Sequence, residues 1–371
     1  MADLLALRYG KRRAVAVIAT LIAVGASLPY LGLQLKAVAT SLQLMGEQNP
    51  QGSDLVLLLS ICLGAFAAIF GTRTRETTDQ RPGIVAAVAF ESVIKLVALG
   101  AVALYVWFGL EAELPAVIPT LSARGGFGPS FWVTTLLAGF AVICLPRQFH
   151  MIAVETDDRR GLARARWVFP VYLALMSLCV APIAAYGIET LGGAQADGLV
   201  LSIPLDHGQN GLALFAFIGG FSAATAMIIV TTYVVGSMFT NEIAVPLLFN
   251  LGSKWSEGEM QRLGFVVVLL RRASIFGVVM FAYLYLQLQS GATALASFGL
   301  EAFTLIAQLA PSLLVGLYWR RAHANGAIAA MATGATSWLY FVLGPSVLGG
   351  STPHWIHPDG FLGLSGMDLT S

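Results

Sequence analysis

The chain has 371 residues, of which 57% are apolar and 11% are charged, and its formal net charge is +1. A soluble domain of ordinary composition carries about 25% charged residues to cover its surface. These proportions exclude an ordinary soluble protein, and the near-neutral charge removes the electrostatic basis for binding nucleic acid. The composition therefore predicts an all-α membrane protein embedded in a lipid bilayer.

Long apolar stretches recur along the whole chain, each close to or above the roughly 20 residues that cross a bilayer as a helix. We predict about nine spans, at residues 13–45, 54–72, 84–108, 130–154, 167–188, 208–240, 262–288, 295–319 and 325–349. Lysine and arginine in the loops fall almost entirely on one side of these spans, with Arg124 alone on the other. Because basic loops are retained in the cytoplasm, the bias predicts a multi-pass protein with a cytoplasmic N-terminus.

A single transmembrane domain over residues 1–349 accommodates all nine spans, and residues 350–371 form a predicted outer tail. The inner segment 241–261 mixes apolar residues with a proline, and we expect it to lie along the membrane surface. Both ends are abrupt: the first residues resemble an inner loop, and the tail stops without returning to the membrane. We therefore expect a truncated chain.

Polar residues inside the first and third spans are candidate ligands. Gln34 belongs to a polar strip in the first span, where Pro29 is expected to kink the helix, and it is suited to a directional hydrogen bond to a solute. Glu91 and Lys95 in the third span are four residues apart, in the order that favours an ion pair on one helix face. A carboxylate at this depth suits a cation site, and a structural ion pair between helices is an equally supported alternative.

The fourth span contains the sequence Pro146-Arg147-Gln148-Phe149-His150. Proline removes a backbone hydrogen bond and clashes with the preceding turn, so we predict a bent or broken helix at this point. Backbone groups freed at membrane depth are tolerated where they line a cavity or bind a ligand. Arg147, Gln148 and His150 are therefore candidate solute-binding residues, and the alternative is a kinked helix end whose arginine extends to the lipid headgroups.

The sixth span contains a run of small residues at 219–227, including Ser222 and Thr225. Small residues most often serve close helix packing in membranes. Hydroxyl oxygens are also suitable ligands for a desolvated Na⁺, so both residues are candidate sodium ligands. The packing interpretation has the stronger support from composition.

The motifs of common enzymes do not occur in this sequence. There is no metalloprotease His-Glu-x-x-His, no hydrolase Gly-x-Ser-x-Gly and no phosphate-binding glycine loop. The three cysteines lie inside spans and have neither the spacing of a metal site nor that of a disulfide framework. The sequence therefore predicts a non-enzymatic domain with no cofactor beyond a coupling ion.

Taken together, several segments resemble the sodium:solute symporter family, and most closely its members fused to bacterial hybrid sensor histidine kinases. The likeness covers nearly the whole chain, and the segments that carry it are residues 27–38, 70–73, 89–95, 145–150, 219–225 and 316–321. The resemblance implies a fold of two inverted repeats of five helices, located in the inner (plasma) membrane. In that frame the first two core helices of the fold are missing from this chain.

The resemblance also implies roles for individual residues. Glu91 corresponds to an acidic residue close to the family's sodium site, and Ser222 and Thr225 are the nearest matches to its paired hydroxyl ligands. In one alignment register those two positions become Ala226 and Met227, which lack hydroxyls, and this departure puts sodium coupling in question. Proline-transporting members have a Gly-Gln-Pro-His sequence where this chain retains Gln148 and His150.

The leading hypothesis is sodium-coupled secondary transport of a small organic solute, such as an amino acid, by alternating access. The alternative is a membrane input domain that senses the solute and signals to a fused or cognate cytoplasmic kinase. A full-length parent of the second kind carries a histidine kinase. The expected partners are in both cases a small organic solute, Na⁺ and the lipid bilayer, without nucleic acid.

Overall fold

The computed structural model describes residues 1–46, 52–71, 82–110, 128–156, 159–191, 193–251, 257–289 and 294–344. These residues form helices and short connecting turns, and none of them belongs to a strand. The predicted outer tail at 350–371 lies outside the described residues.

Fourteen α-helices run through the described part of the chain. They are α1 (Ala2–Arg8), α2 (Arg13–Met45), α3 (Gly52–Gly71), α4 (Pro82–Leu104), α5 (Pro129–Cys144), α6 (Pro146–Ala153), α7 (Arg159–Thr190), α8 (Leu199–Asp206), α9 (Asn210–Phe239), α10 (Val245–Leu251), α11 (Glu257–Leu288), α12 (Leu295–Ile306), α13 (Ala310–Tyr318) and α14 (Ala324–Trp338). Short 3-10 turns precede α8 (Gly193–Gly198) and join α12 to α13 (Ala307–Leu309). One-turn π-helices follow α4, α9 and α14.

Eight helical segments of the described chain are long and apolar enough to cross a bilayer, and the bent pair α5 and α6 supplies a ninth when counted as one span. Large apolar side chains on the outer helices are exposed, including Trp167 at 69% and Leu178 at 66% on α7. In water this surface would be strongly unfavourable, whereas lipid tails cover it without penalty. The helical content and the number of long apolar helices confirm the prediction of an all-α, multi-pass membrane protein.

The two long helices α2 and α9 form the centre of the bundle. Helix α2 packs against α9, α11 and α12, while α9 also packs against α3, α4 and α6. Two glycines of α9 permit the closest approaches. A Cβ at Gly219 would lie 2.8 Å from the Cβ of Ala98, and one at Gly236 would lie 3.1 Å from the backbone nitrogen of Ile275. Gly219 and Gly236 of the sixth span therefore serve close helix packing, the role that composition favours for small residues.

A short N-terminal helix is fixed to the end of α13. The Arg8 side chain donates hydrogen bonds to the carbonyl oxygens of Gly316 and Trp319, and the Tyr9 hydroxyl donates to the carbonyl oxygen of Ser312 at 2.7 Å. A cation beside the last carbonyls of a helix complements the negative end of its dipole. Burial raises the pKa of Tyr9, so its hydroxyl stays protonated and remains a donor.

One sequence expectation about helix continuity is corrected. The first part of the inner segment 241–261 is not a loop, because a π-turn (Thr240–Ala244) carries α9 directly into α10, and the described helix extends to Leu251. Helix α2 continues through Pro29 without interruption, and the kink expected there stays a prediction. A proline inside a membrane helix is tolerated when neighbouring helices pack around it, and Pro29 is itself buried among them.

Candidate functional site

The fourth span is broken at Leu145, as the proline predicted. Leu145 adopts extended dihedral angles (φ −62°, ψ 127°) between α5 and α6, and the two helices are bent by 52°. Proline at the first position of α6 explains the break, because it excludes the preceding residue from the helical region. The first bond of α6 is donated by the Phe149 amide to the Leu145 oxygen at 2.9 Å. The amides of Arg147 and Gln148 thus lie in the first turn, where the helix dipole favours an anion.

Arg147 is buried at this break with most of its hydrogen-bonding capacity unused. Its residue exposure is 8%, and neither Nε nor Nη1 has a hydrogen-bond partner among the described residues. Removing a charged group from water costs several kcal/mol unless a counter-charge and hydrogen bonds replace the hydration. A guanidinium pairs best with a planar carboxylate, through two parallel hydrogen bonds. The break therefore presents the chemistry of a carboxylate-binding site.

His150 lies one turn after Arg147 and has a partner within the protein. Its Nε2 atom is 3.2 Å from Oε1 of Glu155, and its ring centroid is 6.1 Å from that of Tyr233 on α9. The amides of Val154 and Glu155 also donate to the His150 carbonyl oxygen. The contacts with residues 154 and 155 close the end of α6, and the ring contact with Tyr233 joins it to α9. Gln148, the third predicted solute ligand on this helix, is half-buried.

Gln34 is buried on α2, at 9% exposure, but the structure does not bring it to Arg147. Helices α2 and α9 run antiparallel: Tyr30 contacts Met227, and Thr40 near the end of α2 lines the same cleft as Gly220 near the start of α9. Gln34 lies one turn beyond Tyr30, towards the end of α2. Arg147 lies one turn before His150, which contacts Tyr233 of α9. Tyr233 follows Met227 along α9, whereas Gln34 is displaced from the Tyr30–Met227 contact in the other direction.

The Glu91–Lys95 pair forms as the spacing predicted. The Nζ atom of Lys95 is 3.3 Å from Oε1 of Glu91, and the carboxylate side chain is 5% exposed. The second oxygen of Glu91, Oε2, is buried and has no hydrogen-bond partner in the described part of the chain. Tyr172 of α7 donates a hydrogen bond to the carbonyl oxygen of the adjacent residue, Ser92, at 3.2 Å. One of the two carboxylate oxygens of Glu91 is therefore paired, and the other is available to a ligand.

The register between α4 and α9 places Glu91 across from the stretch that holds Ser222 and Thr225. Ala98 faces Gly219, and Val88 packs against the cluster that contains Val230 and Tyr233, so the two helices run antiparallel here. Glu91 lies between Val88 and Ala98 on α4, and Ser222 and Thr225 lie between Gly219 and Val230 on α9. The Thr225 hydroxyl donates to the carbonyl oxygens of Phe221 and Ser222, both at 2.9 Å, so its own proton is directed into its helix. Its oxygen lone pairs remain available to a ligand.

Three further buried hydroxyls lie on the same central helices; the polar residues of the sixth span already include Thr231 and Ser237, whereas sequence reasoning missed Thr20. Thr20 on α2, and Thr231 and Ser237 on α9, each have a buried side-chain oxygen without a hydrogen-bond partner among the described residues. Thr231 lies two residues before Tyr233, the residue that contacts His150. Single hydroxyl residues are common in membrane helices, so no sequence pattern distinguishes those whose hydroxyl lacks a partner.

Comparison of this sequence with models of protein families and with curated proteins gives no match. The assignment of function rests on the geometry of the residues described above.

Proposed function

We propose that this chain is a secondary transporter domain that binds a small, carboxylate-bearing organic solute at the break between α5 and α6. The observation that carries the proposal is the buried Arg147 guanidinium, whose Nε and Nη1 have no partner in the described residues. A solute carboxylate would accept hydrogen bonds from these atoms and from the first amides of α6. An amino acid is the simplest solute class that fits.

The position of the site within the bundle supports transport as well as binding. At the break, α6 packs against the central helix α9, α5 packs against α12 and α13, and Leu145 belongs to the same buried cluster as residues of α2. Broken helices in this position allow one part of a transporter to rock against the other around a fixed site. We extend the proposal to the inverted-repeat fold of the sodium:solute symporter family, with the N-terminus in the cytoplasm and the chain in the plasma membrane.

Sodium is the proposed coupling ion, at a site between α4 and α9. Glu91 supplies a buried carboxylate oxygen that has no partner among the described residues, and Ser222 and Thr225 supply oxygens on the facing stretch of α9. Hard cations select oxygen ligands of these kinds. Lys95 neutralises one side of the carboxylate, so the site would bind a single monovalent cation without a large excess of negative charge.

Uptake by the natural protein in proteoliposomes tests the proposal. The probes are radiolabelled L-amino acids and short carboxylic acids, offered with and without an inward Na⁺ gradient. We expect one or more of them to accumulate only with the gradient. Arg147→Ala should reduce that uptake at least tenfold while protein abundance is maintained, because the variant removes a charge-assisted contact. Arg164→Ala, which alters an exposed arginine of α7, is the matched control.

Two outcomes would contradict the proposal. An equal loss of uptake and abundance in Arg147→Ala would show that the arginine maintains a structural kink. Saturable binding without uptake under any gradient would favour the alternative function, a solute-sensing input domain.

A further inference from the structure

A separate cleft opens between α2, α4, α7, α8 and α9, and it shares no lining residue with the break at Arg147. It encloses about 250 Å³. Ligand pockets for drug-sized molecules span about 300–1,000 Å³, so this cleft is sized for a smaller solute. It lies at the end of the bundle where α2 ends and α9 begins, and the 3-10 turn before α8 forms part of its wall.

Charges of both signs line this cleft. Lys95 projects from α4, and one of its three donors is directed to Glu91. Asp197 projects from the 3-10 turn, where its Oδ2 accepts the amide hydrogen of Leu295 at 2.9 Å. Asp197 also lies close enough to Lys36 to interact with it electrostatically. Each charge in the wall therefore has an opposite charge beside it, and the cleft as a whole is electrically balanced.

A balanced cleft favours a particular kind of ligand. A free anion would face Asp197 and a free cation would face Lys95, so either ligand meets a like charge in the wall of the cleft. A ligand that is neutral overall but carries both charges can pair with Lys95 and Asp197 together. Hydroxyl groups of Thr40 and Ser41 at the same cleft offer further hydrogen bonds.

Glycine forms the floor of the cleft. Gly219 is closed off by its contact with Ala98, whereas a Cβ at Gly220 would meet nothing within 4 Å. A side chain at position 220 would therefore occupy the cleft without displacing the backbone. Gly211, on the same helix, is open to the same degree but does not line the cleft.

We infer that this cleft binds a small zwitterion, a short α-amino acid, with the ligand carboxylate on Lys95 and the ligand ammonium group on Asp197. The inference goes beyond the proposed function, because this site differs from the one at Arg147 and does not require transport. It is a second binding site, reached from the end of the bundle that carries Asp197.

Equilibrium dialysis of the natural protein in lipid nanodiscs tests the inference, carried out in the Arg147→Ala background so that the site at the helix break is disabled. The probes are radiolabelled glycine, L-alanine and L-serine. Propionate and ethylamine serve as single-charge analogues of L-alanine. We expect saturable binding of at least one amino acid, and at least tenfold weaker binding of each analogue, because each lacks one charge-assisted contact.

Two variants locate the site. Gly220→Leu should abolish binding by filling the cleft, while Gly211→Leu should leave it unchanged. Asp197→Asn retains an acceptor for the Leu295 amide and should weaken binding about tenfold or more through loss of the charge. Absence of saturable binding for all three amino acids, or undiminished binding in Gly220→Leu, would overturn the inference. Because Arg147 is already replaced, neither result bears on the proposed transport site.

Discussion

Two charged groups lie inside this bundle in contrasting surroundings. Glu301 on α12 accepts a hydrogen bond from the Tyr285 hydroxyl of α11, and Gln289 donates to that same hydroxyl at 3.0 Å. The indole of Trp338 donates to the Glu301 backbone oxygen at 3.0 Å. Arg147 at the α5–α6 break, by contrast, has two buried guanidinium nitrogens with no partner in the described chain.

The difference separates a structural charge from one that is available to a ligand. A charged side chain that already accepts a hydrogen bond from a neighbouring helix joins the two helices, and removing it leaves its partner unsatisfied. A buried charge with free donors destabilises the protein until a ligand supplies the acceptors. The contrast predicts that substitutions at the two centres change stability in opposite directions.

The largest change in the free energy of unfolding is expected at Glu301, which has a hydrogen-bond partner on a neighbouring helix. Glu301→Ala should lower the free energy of unfolding by about 2–4 kcal/mol, because it creates a cavity and leaves the Tyr285 hydroxyl without its acceptor. Thermal unfolding in detergent micelles measures this change. Glu301→Gln preserves an acceptor oxygen and most of the volume, and should lose less than half as much. An unchanged melting temperature in Glu301→Ala would show that Glu301 does not stabilise the bundle, and would contradict the contrast with Arg147.

A smaller change in the free energy of unfolding, of opposite sign, is expected at Arg147. Arg147→Met keeps the volume of the side chain and removes the unpaired charge, so it should raise the free energy of unfolding by about 1–3 kcal/mol in the absence of solute. The same thermal assay measures this change, with Arg164→Met as the exposed control. Destabilisation by Arg147→Met would mean that the guanidinium already has partners that support the fold.

The smallest change in the free energy of unfolding is expected at Glu91. Its surroundings are intermediate between those of Glu301 and Arg147, because one carboxylate oxygen is paired with Lys95 and the other has no partner in the described residues. Glu91→Gln should lower the free energy of unfolding by about 1 kcal/mol, since Lys95 loses its counter-charge but is partly accessible to water in the cleft. If the free oxygen binds sodium, the variant should also weaken the sodium dependence of solute binding. An unchanged sodium titration in Glu91→Gln and in Thr225→Ala would refute the coupling proposal.

Features set by neighbouring residues in the chain were predictable from the sequence. Pro146 breaks the fourth span through its missing amide and its ring, and the four-residue spacing of Glu91 and Lys95 places them on one helix face. The apolar lengths of the spans are likewise a local property. These predictions depended on covalent geometry and helical periodicity alone.

Features set by packing between distant segments were not predictable in the same way. The pairing of Glu301 with Tyr285 depends on how α11 meets α12, and the separation of Gln34 from Arg147 depends on the register of α2 against α9. The charged cleft requires Asp197, from a segment that the sequence identified only as a loop. Residues 241–251 are helical where the sequence indicated a connection between spans, because a π-turn allows the helix to continue.

The most direct test of the central claim is whether Arg147 recognises a carboxylate. We would measure equilibrium binding of the twenty L-amino acids, and of the carboxamide of each binder, to the natural protein in nanodiscs. The Gly220→Leu background closes the second cleft. The account predicts that an amino acid binds, that its carboxamide binds at least tenfold more weakly, and that Arg147→Ala abolishes this preference. Equal binding of acid and amide, or a preference that survives Arg147→Ala, would contradict it.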